Sequence, residues 1–337
     1  MYLVSGTDQD NLPAIATIDQ KGGITITEVP SNTSPTIYVA GSYNNPSNIA
    51  CYWINDKTKV DLDTSGNTPA FATSIVVSGS SIYVGGYYRK GGASVGCYWI
   101  DGARTDVDSG TATGAQINSI FVSGGTVYGA GYYDNGSKLV ACYWTGAVRS
   151  ADMPSVGPSF ANSIYLNSGT IYLSGQDNFT TASYWTGGST PAEITLPSTG
   201  IAVANSIFVS GSTVYTAGQD TTVSSTTVAA TWTGTSSPTD LTGAGGATAN
   251  SLVVVSGTTY VAGQYSSPTI ACYWNNGAKT DLPGAGGANS ASIYVSGGTV
   301  YTAGYYSNSP TIACYWTGTT KTDLPGTAAQ AASIFVQ

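Results

Sequence analysis

The sequence predicts an all-β protein, a closed β-propeller of four-stranded antiparallel blades, and three observations carry that reading. β-branched and aromatic residues dominate the periodic stretches, and helix formers are scarce there. Seven tryptophans, Trp53, Trp99, Trp144, Trp185, Trp232, Trp274 and Trp316, recur at spacings of 46, 45, 41, 47, 42 and 42 residues. Around each of them runs the same string of four short strands, the mark of a propeller blade. One blade cannot bury both faces of its sheet, whereas a ring of blades buries them against one another.

The last complete unit shows the strands, here lettered A to D. Strand A is Ser292 to Val295, followed by the turn Ser296-Gly297-Gly298, where glycine tolerates the positive φ of a tight hairpin. Strand B is Thr299 to Gly304. A loop of Tyr, Ser, Asn and Pro leads to strand C, Ile312 to Trp316. Strand D is Lys321 to Leu324, closed by Pro325-Gly326.

The blade count is less direct. The B–C–D pattern appears eight times, first as Met1–Gly6, Ala14–Asp19 and Thr27–Pro30, with Ile18 in the tryptophan place. Strand A appears only seven times, and its last copy, Ser333–Val336, has no B strand after it. Tail pairing with head would complete a blade. The partner is Met1–Gly6 if all eight units form one ring over 1–337, the reading taken first. It is Thr36–Gly41 if seven blades follow an N-terminal extension, the alternative. Ser31–Pro35 is too short to hold a further A strand.

The strings Cys51-Tyr52-Trp53, Cys97-Tyr98-Trp99, Cys142-Tyr143-Trp144, Ser183-Tyr184-Trp185, Cys272-Tyr273-Trp274 and Cys314-Tyr315-Trp316, with Thr322-Asp323-Leu324-Pro325, carry a resemblance over essentially the whole chain. It resembles tandem-repeat bacterial propellers with a Tyr-Trp motif in the third strand, kelch-like in layout and largely uncharacterised. The resemblance implies a fold rather than an activity. The kelch Gly-Gly after strand B survives only at Gly85-Gly86. The Tyr-Trp-Thr-Asp pattern of lipoprotein-receptor propellers fails at Gly318. Neither function is carried over.

Composition excludes several classes. No histidine is present, which removes Ser-His-Asp chemistry, a His base and His metal ligands. Only 8% of residues are charged and the net charge is −8, with ten scattered cations, so nucleic-acid binding is not expected. No apolar run reaches the roughly 20 residues of a membrane helix, and no membrane insertion is expected. A hydrophobic content of 41% excludes disorder.

The repeat also accounts for the obvious reactive residues. Cys51, Cys97, Cys142, Cys272 and Cys314 occupy one repeat position, too far apart from blade to blade for disulfides, and read as small buried filler. Glu28, Asp61, Asp106, Asp152, Asp240, Asp281 and Asp323 share a strand-D position. Lys59, Arg104, Lys279 and Lys321 stand two residues earlier, which predicts local ion pairs. Asp8–Asn11, Asp61–Asp63 and Asp106–Gly110 lack the spacing of a calcium loop and read as solvated turns. No cofactor, metal or catalytic residue is assigned.

The remaining candidates are residues on the face of the B–C loops. Tyr43, Tyr88, Tyr133, Tyr265 and Tyr306 share a position that holds Asp8, Asp177 or Asp220 in other units, and tyrosine suits sugar or protein recognition. Asn118, Asn162, Asn205 and Asn250 begin strand A at the expected channel mouth, able to bind a neutral polar ligand or to cap the strand. These features predict a protein that is not an enzyme: a non-catalytic binding or display propeller recognising a glycan or protein through Tyr-rich loops. The alternative is a structural or attachment component of a virion, fibre or surface layer, and a remote one is a glycoside hydrolase using Asp177 and Asp220. Composition favours an extracellular, cell-surface or virion setting, and it is compatible with a homo-oligomer or larger assembly. No secretory leader is legible at Met1-Tyr2-Leu3.

Overall fold

The computed structural model describes strands Tyr2–Thr7, Pro13–Ile18 and Ile24–Glu28, and residues 34–109, 113–221, 226–243, 245–265, 269–284 and 287–337. Two compact units divide the chain, Met1–Thr36 and Ile37–Gln337. The first is a three-stranded antiparallel sheet. The second is a propeller of seven four-stranded antiparallel blades. No helix occurs among the described residues.

The ring therefore has seven blades, not eight, and the single domain over 1–337 gives way to two units. Gln330–Val336 pairs with Ile37–Asn44, with Ile334 opposite Val39 and Phe335 opposite Tyr38. Met1–Gly6 is not the partner: Tyr2–Thr7 is the edge of a three-stranded sheet, and the C-terminal strand belongs to the sheet of Ile37–Asn44. We number the blade containing this closure 1 and continue in chain order. Its C and D strands are Asn48–Ile54 and Thr58–Asp61.

The inner strands are longer than the sequence pattern shows. In blade 7 strand A runs Ala288–Ser296, four residues earlier than expected at its start. The added turn of pattern is hidden by a bulge. Register slips by one residue between Ser290 and Ser292, and the same slip recurs in every blade, for example at Ile117/Ser119 and Ala204/Ser206. The bulge brings strand A close over a strand-B glycine; a Cβ on Gly86 would collide with the Phe71 carbonyl oxygen.

Two polar devices join neighbouring blades. Each tryptophan is buried and donates its indole N–H to the linker entering its own blade: Trp53 to the Pro325 carbonyl at 2.8 Å, Trp99 to Asp63 at 2.9 Å, Trp144 to Asp108 at 2.7 Å. The same bond joins Trp185 to Pro154, Trp232 to Pro197, Trp274 to Thr242 and Trp316 to Pro283. Around the channel, strand-A serines accept backbone N–H groups from the next blade, as from Ile120 to Ser74 and from Leu252 to Ser206. The bond from Ile75 to Ser333 carries this pattern across the chain closure.

Two stability outcomes follow. Trp99→Phe removes a buried donor and leaves the Asp63 carbonyl only the 3.4 Å bond from Arg104, so urea unfolding should show a loss of about 1 kcal/mol beyond any packing term. Deleting residues 330–337 strips blade 1 of its inner strand and buried Ile334, and the melting temperature should fall sharply. An unchanged melting temperature would contradict this closure.

Candidate functional site

The tyrosines expected to meet a ligand on the face of the B–C loops are not exposed. Tyr43, Tyr88, Tyr133 and Tyr306 are buried, Tyr88 to 1% exposure, and Tyr265 is half-buried. Each hydroxyl donates to the strand-D aspartate of its blade: Tyr43 to Asp61 at 2.9 Å, Tyr88 to Asp106 at 3.0 Å, Tyr133 to Asp152 at 2.8 Å, Tyr265 to Asp281 at 2.9 Å and Tyr306 to Asp323 at 3.0 Å. A cation lies over each ring, with Lys59 3.3 Å from the Tyr43 centroid and Lys321 3.6 Å from that of Tyr306. The same cation pairs with the aspartate, at 2.8 Å for Lys59–Asp61. This Tyr–cation–Asp triad belongs to the blade, not to a ligand.

Strand alternation explains the error. In Tyr87-Tyr88, Tyr132-Tyr133 and Tyr305-Tyr306 the second ring is buried between blades, so the first points to the opposite face. Tyr87, Tyr132 and Tyr305 are the half-buried partners on that face, and Tyr132 packs edge-on against Phe160 of the next blade. They lie in register with strand-A residues Phe71, Gln116 and Asn289. The signal was present in the doubled tyrosines, displaced by one residue.

The four asparagines occupy the bulge, and their amides are committed. Asn118 donates to the Ala161 carbonyl at 2.9 Å, Asn162 to Ala204 at 3.2 Å, Asn205 to Ala249 at 2.9 Å and Asn250 to Ser290 at 3.0 Å. They tie successive inner strands together. Asn250 also lines a cavity of about 350 Å³ at the channel mouth, with Phe71, Tyr87, Asn289, Tyr305 and Gln330. That cavity opens where the repeat changes: Ala291 and Ala332 stand in the bulge in place of asparagine, and both line it. No charged side chain lines it.

Beyond Tyr87 on the same strand face comes Arg89. With Tyr132, Gln116 and Asp134 it lines a second cavity of about 230 Å³. Burial raises the Tyr87 and Tyr132 phenols above their ordinary value, against a lowering pull from Arg89.

Blades 4 and 5 lack the triad. In blade 4, Asp177 replaces the tyrosine and is 3% exposed. Its carboxylate accepts from the Val156 and Gly157 amides at 2.9 and 3.2 Å, so both oxygens are satisfied. Glu193, which the sequence reading passed over, is opposite Trp185, in the register that Lys59 holds opposite Trp53. Burial raises its carboxyl and Asp177 adds to the effect, while a 2.6 Å bond from the Ser183 hydroxyl lowers it. In blade 5, Asp220 is 2% exposed. Only its Oδ2 is bonded, to the Thr199 amide and hydroxyl at 3.1 and 3.2 Å. Asp177 and Asp220 are bonded to different linkers, Asp177 to Val156 and Gly157 and Asp220 to Thr199.

The five cysteines are buried free thiols. Desolvation raises all of them, that of Cys272 to about 12. Among the described residues no group of three or more Cys, Asp or Glu gathers to hold a metal ion. Asp8–Asn11 and Gly110 lie outside the described residues.

No family model matches the chain, and no curated protein is significantly similar to it. Among solved structures, the propeller domain of the trilobed protease from Pyrococcus furiosus is similar with a TM-score of 0.52 and 8% identity, over 96% of this chain and 95% of that one. The Hadza microbial sialidase Hz136 gives 0.44 at 10% identity, over 76% and 71%. The Trypanosoma rangeli sialidase with 2,3-difluorosialic acid gives 0.43 at 10% identity, over 99% of this chain and 59% of that one. At these identities the likeness is one of fold.

Two findings correct the expectation of a non-catalytic display propeller that is not an enzyme. Sialidases are among the structures to which the chain is similar in fold. The Tyr-rich loop surface on which display was to rest is buried triad.

Alkaline titration tests the triad. Burial raises the Tyr88 phenol, and the hydrogen bond and charge of Asp106 raise it further against Arg104, to about 12 from an ordinary value of 10.0. A raised folded-state value favours the neutral phenol. That contribution is complete below pH 10 and disappears as the pH rises towards 12. Melting temperature should therefore fall across that window, and less steeply in Tyr88→Phe.

Proposed function

We propose that the protein acts on carbohydrate, seating a neutral saccharide at the mouth of the central channel. One observation carries the reading: the cavity of about 350 Å³ is lined by three aromatic rings, Phe71, Tyr87 and Tyr305, and three amides, Asn250, Asn289 and Gln330, with no charged side chain. Aromatic faces stack on sugar rings, Asn289 and Gln330 can donate to hydroxyls, and Asn250, whose N–H groups already bond Ser290 and Asn289, can accept through its carbonyl oxygen. The volume is at the small end of ligand pockets and suits one or two sugar units.

Groups able to do chemistry line the second cavity: Tyr132, Asp134 and Arg89, the last of them two residues beyond Tyr87 of the seat on the same strand. A carboxylate with a phenol is a set that glycoside hydrolysis uses in its tyrosine-nucleophile form. Asp134 accepts the Gly136 amide through Oδ1. Hydrolysis of a neutral glycoside is thus the activity this proposal assigns. The finer resemblance to Tyr-Trp tandem-repeat propellers, and an extracellular or cell-surface setting, belong to the same proposal.

The test reads binding and cleavage together on neutral oligosaccharides and their aryl glycosides. Tyr87→Ala and Tyr305→Ala should weaken binding about tenfold or more each, with the melting temperature nearly unchanged. Asp134→Asn should leave binding intact and abolish product release. The reading is lost if no saccharide of the panel binds the wild-type protein, or if Tyr87→Ala binds as wild type does.

A further inference from the structure

Five blades fill one position in the same way. A tyrosine ring, a Lys or Arg lying over it and an aspartate close a neutral-to-acidic set, with cation–carboxylate distances of 2.8, 2.9, 3.5, 2.8 and 3.0 Å. The position is thus a cation site whose cation the chain supplies.

Blade 5 keeps the acid and loses the rest. Asp240 holds the strand-D place, opposite Ala230 as Asp61 is opposite Cys51. Pro238 stands two residues before it, where lysine or arginine precedes the aspartate in blades 1, 2, 6 and 7. Asp220 replaces the tyrosine. The volume left by ring and cation is a cavity of about 370 Å³ lined by Pro197, Ser198, Thr199, Asp220, Ser237, Pro238 and Asp240.

Two carboxylates line that cavity without a lysine or arginine in its lining. Asp220 Oδ1 is buried with no hydrogen-bond partner. A buried, unpaired carboxylate oxygen is costly and calls for a partner. Blade 4 is the internal control: Asp177 sits at the same repeat position with both oxygens bonded by backbone amides. Asp220 is distinguished by one buried, unbonded oxygen, in a residue that lines a cavity beside a second acid.

We infer that the Asp220–Asp240 cavity of blade 5 binds a hard divalent cation of the calcium type, replacing the Lys or Arg of the other blades. The side chains lining it offer oxygen alone, from carboxylates and hydroxyls, which suits calcium rather than zinc or copper. Two carboxylates suffice where hydroxyls, backbone carbonyls and water complete six to eight ligands. An organic ammonium is disfavoured because the aromatic face that seats it elsewhere is missing from this lining.

Thermal unfolding and terbium luminescence of the whole chain test this. Ca²⁺ at a hundredfold excess over its Kd should raise the melting temperature by about 5 °C, and Mg²⁺ should do less. Trp232 bonds Pro197 of the lining and is placed to sensitise bound Tb³⁺, which Ca²⁺ should displace. Asp240→Asn, at an exposed position, should abolish both signals without unfolding the protein. The pair Asp220→Tyr with Pro238→Lys rebuilds the triad and should melt higher without Ca²⁺ and ignore it. The inference fails if up to about 10 mM Ca²⁺, beyond the range of weak calcium modules, leaves the wild-type melting temperature unchanged. It also fails if Asp240→Asn or the rebuilt variant responds to Ca²⁺ as wild type does.

Discussion

A buried indole N–H must find an acceptor, and in this ring that acceptor is the linker by which the chain enters each blade. This constraint explains why tryptophan recurs where so much else in the unit varies. The bond fixes the end of the strand D–A linker against strand C of the following blade, and the ring lies in the core between them. Variation in unit length is therefore pushed into the loops, where spacings of 41 to 47 residues are absorbed without moving the tryptophan. Phenylalanine would fill much of the space but satisfy nothing.

The scarcity of charge follows from the same economy. Ten basic residues serve the whole chain, and five of them are held in Tyr–cation–Asp triads. Each triad closes a hydroxyl, a carboxylate and a cation against one another at a blade edge. Neutral serine and asparagine do the corresponding joining around the channel. Among the described residues, most of the ionised groups that remain on so weakly charged a surface have a structural partner.

Periodic features were legible in the sequence because the tryptophan spacing, the glycine turns and the strand-D acids are each imposed by packing that repeats. What failed was of two kinds. The N-terminal copy carries the B–C–D pattern yet forms its own three-stranded sheet, and its one local mark is Ile18 in the tryptophan place. The other sign was the missing A strand before Thr36. The second failure was one of facing. Strand period is two, so reading Tyr88 instead of Tyr87 transfers the aromatic ring from the channel to the inter-blade core. The Asn-Ser pairs misled for a related reason. A bulge shifts their side chains to the neighbouring strand, and a bulge has no sequence mark beyond the glycine that faces it.

In a repeat protein the departures from the repeat hold more information about function than the repeat itself. The channel mouth widens where Ala291 and Ala332 displace asparagine, because two amides that would have spanned the gap to the next inner strand are gone. Blade 5 opens where Asp220 and Pro238 displace an aromatic ring and a cation. Both changes remove bulk that other blades use for their own closure, so both give up packing and hydrogen bonds available to a perfect copy. Blade 4 shows that an aspartate in the tyrosine place need not leave such a gap, since the Val156–Gly157 backbone closes over Asp177. The contrast between Asp177 and Asp220 therefore separates a substitution the fold has absorbed from one it has left open.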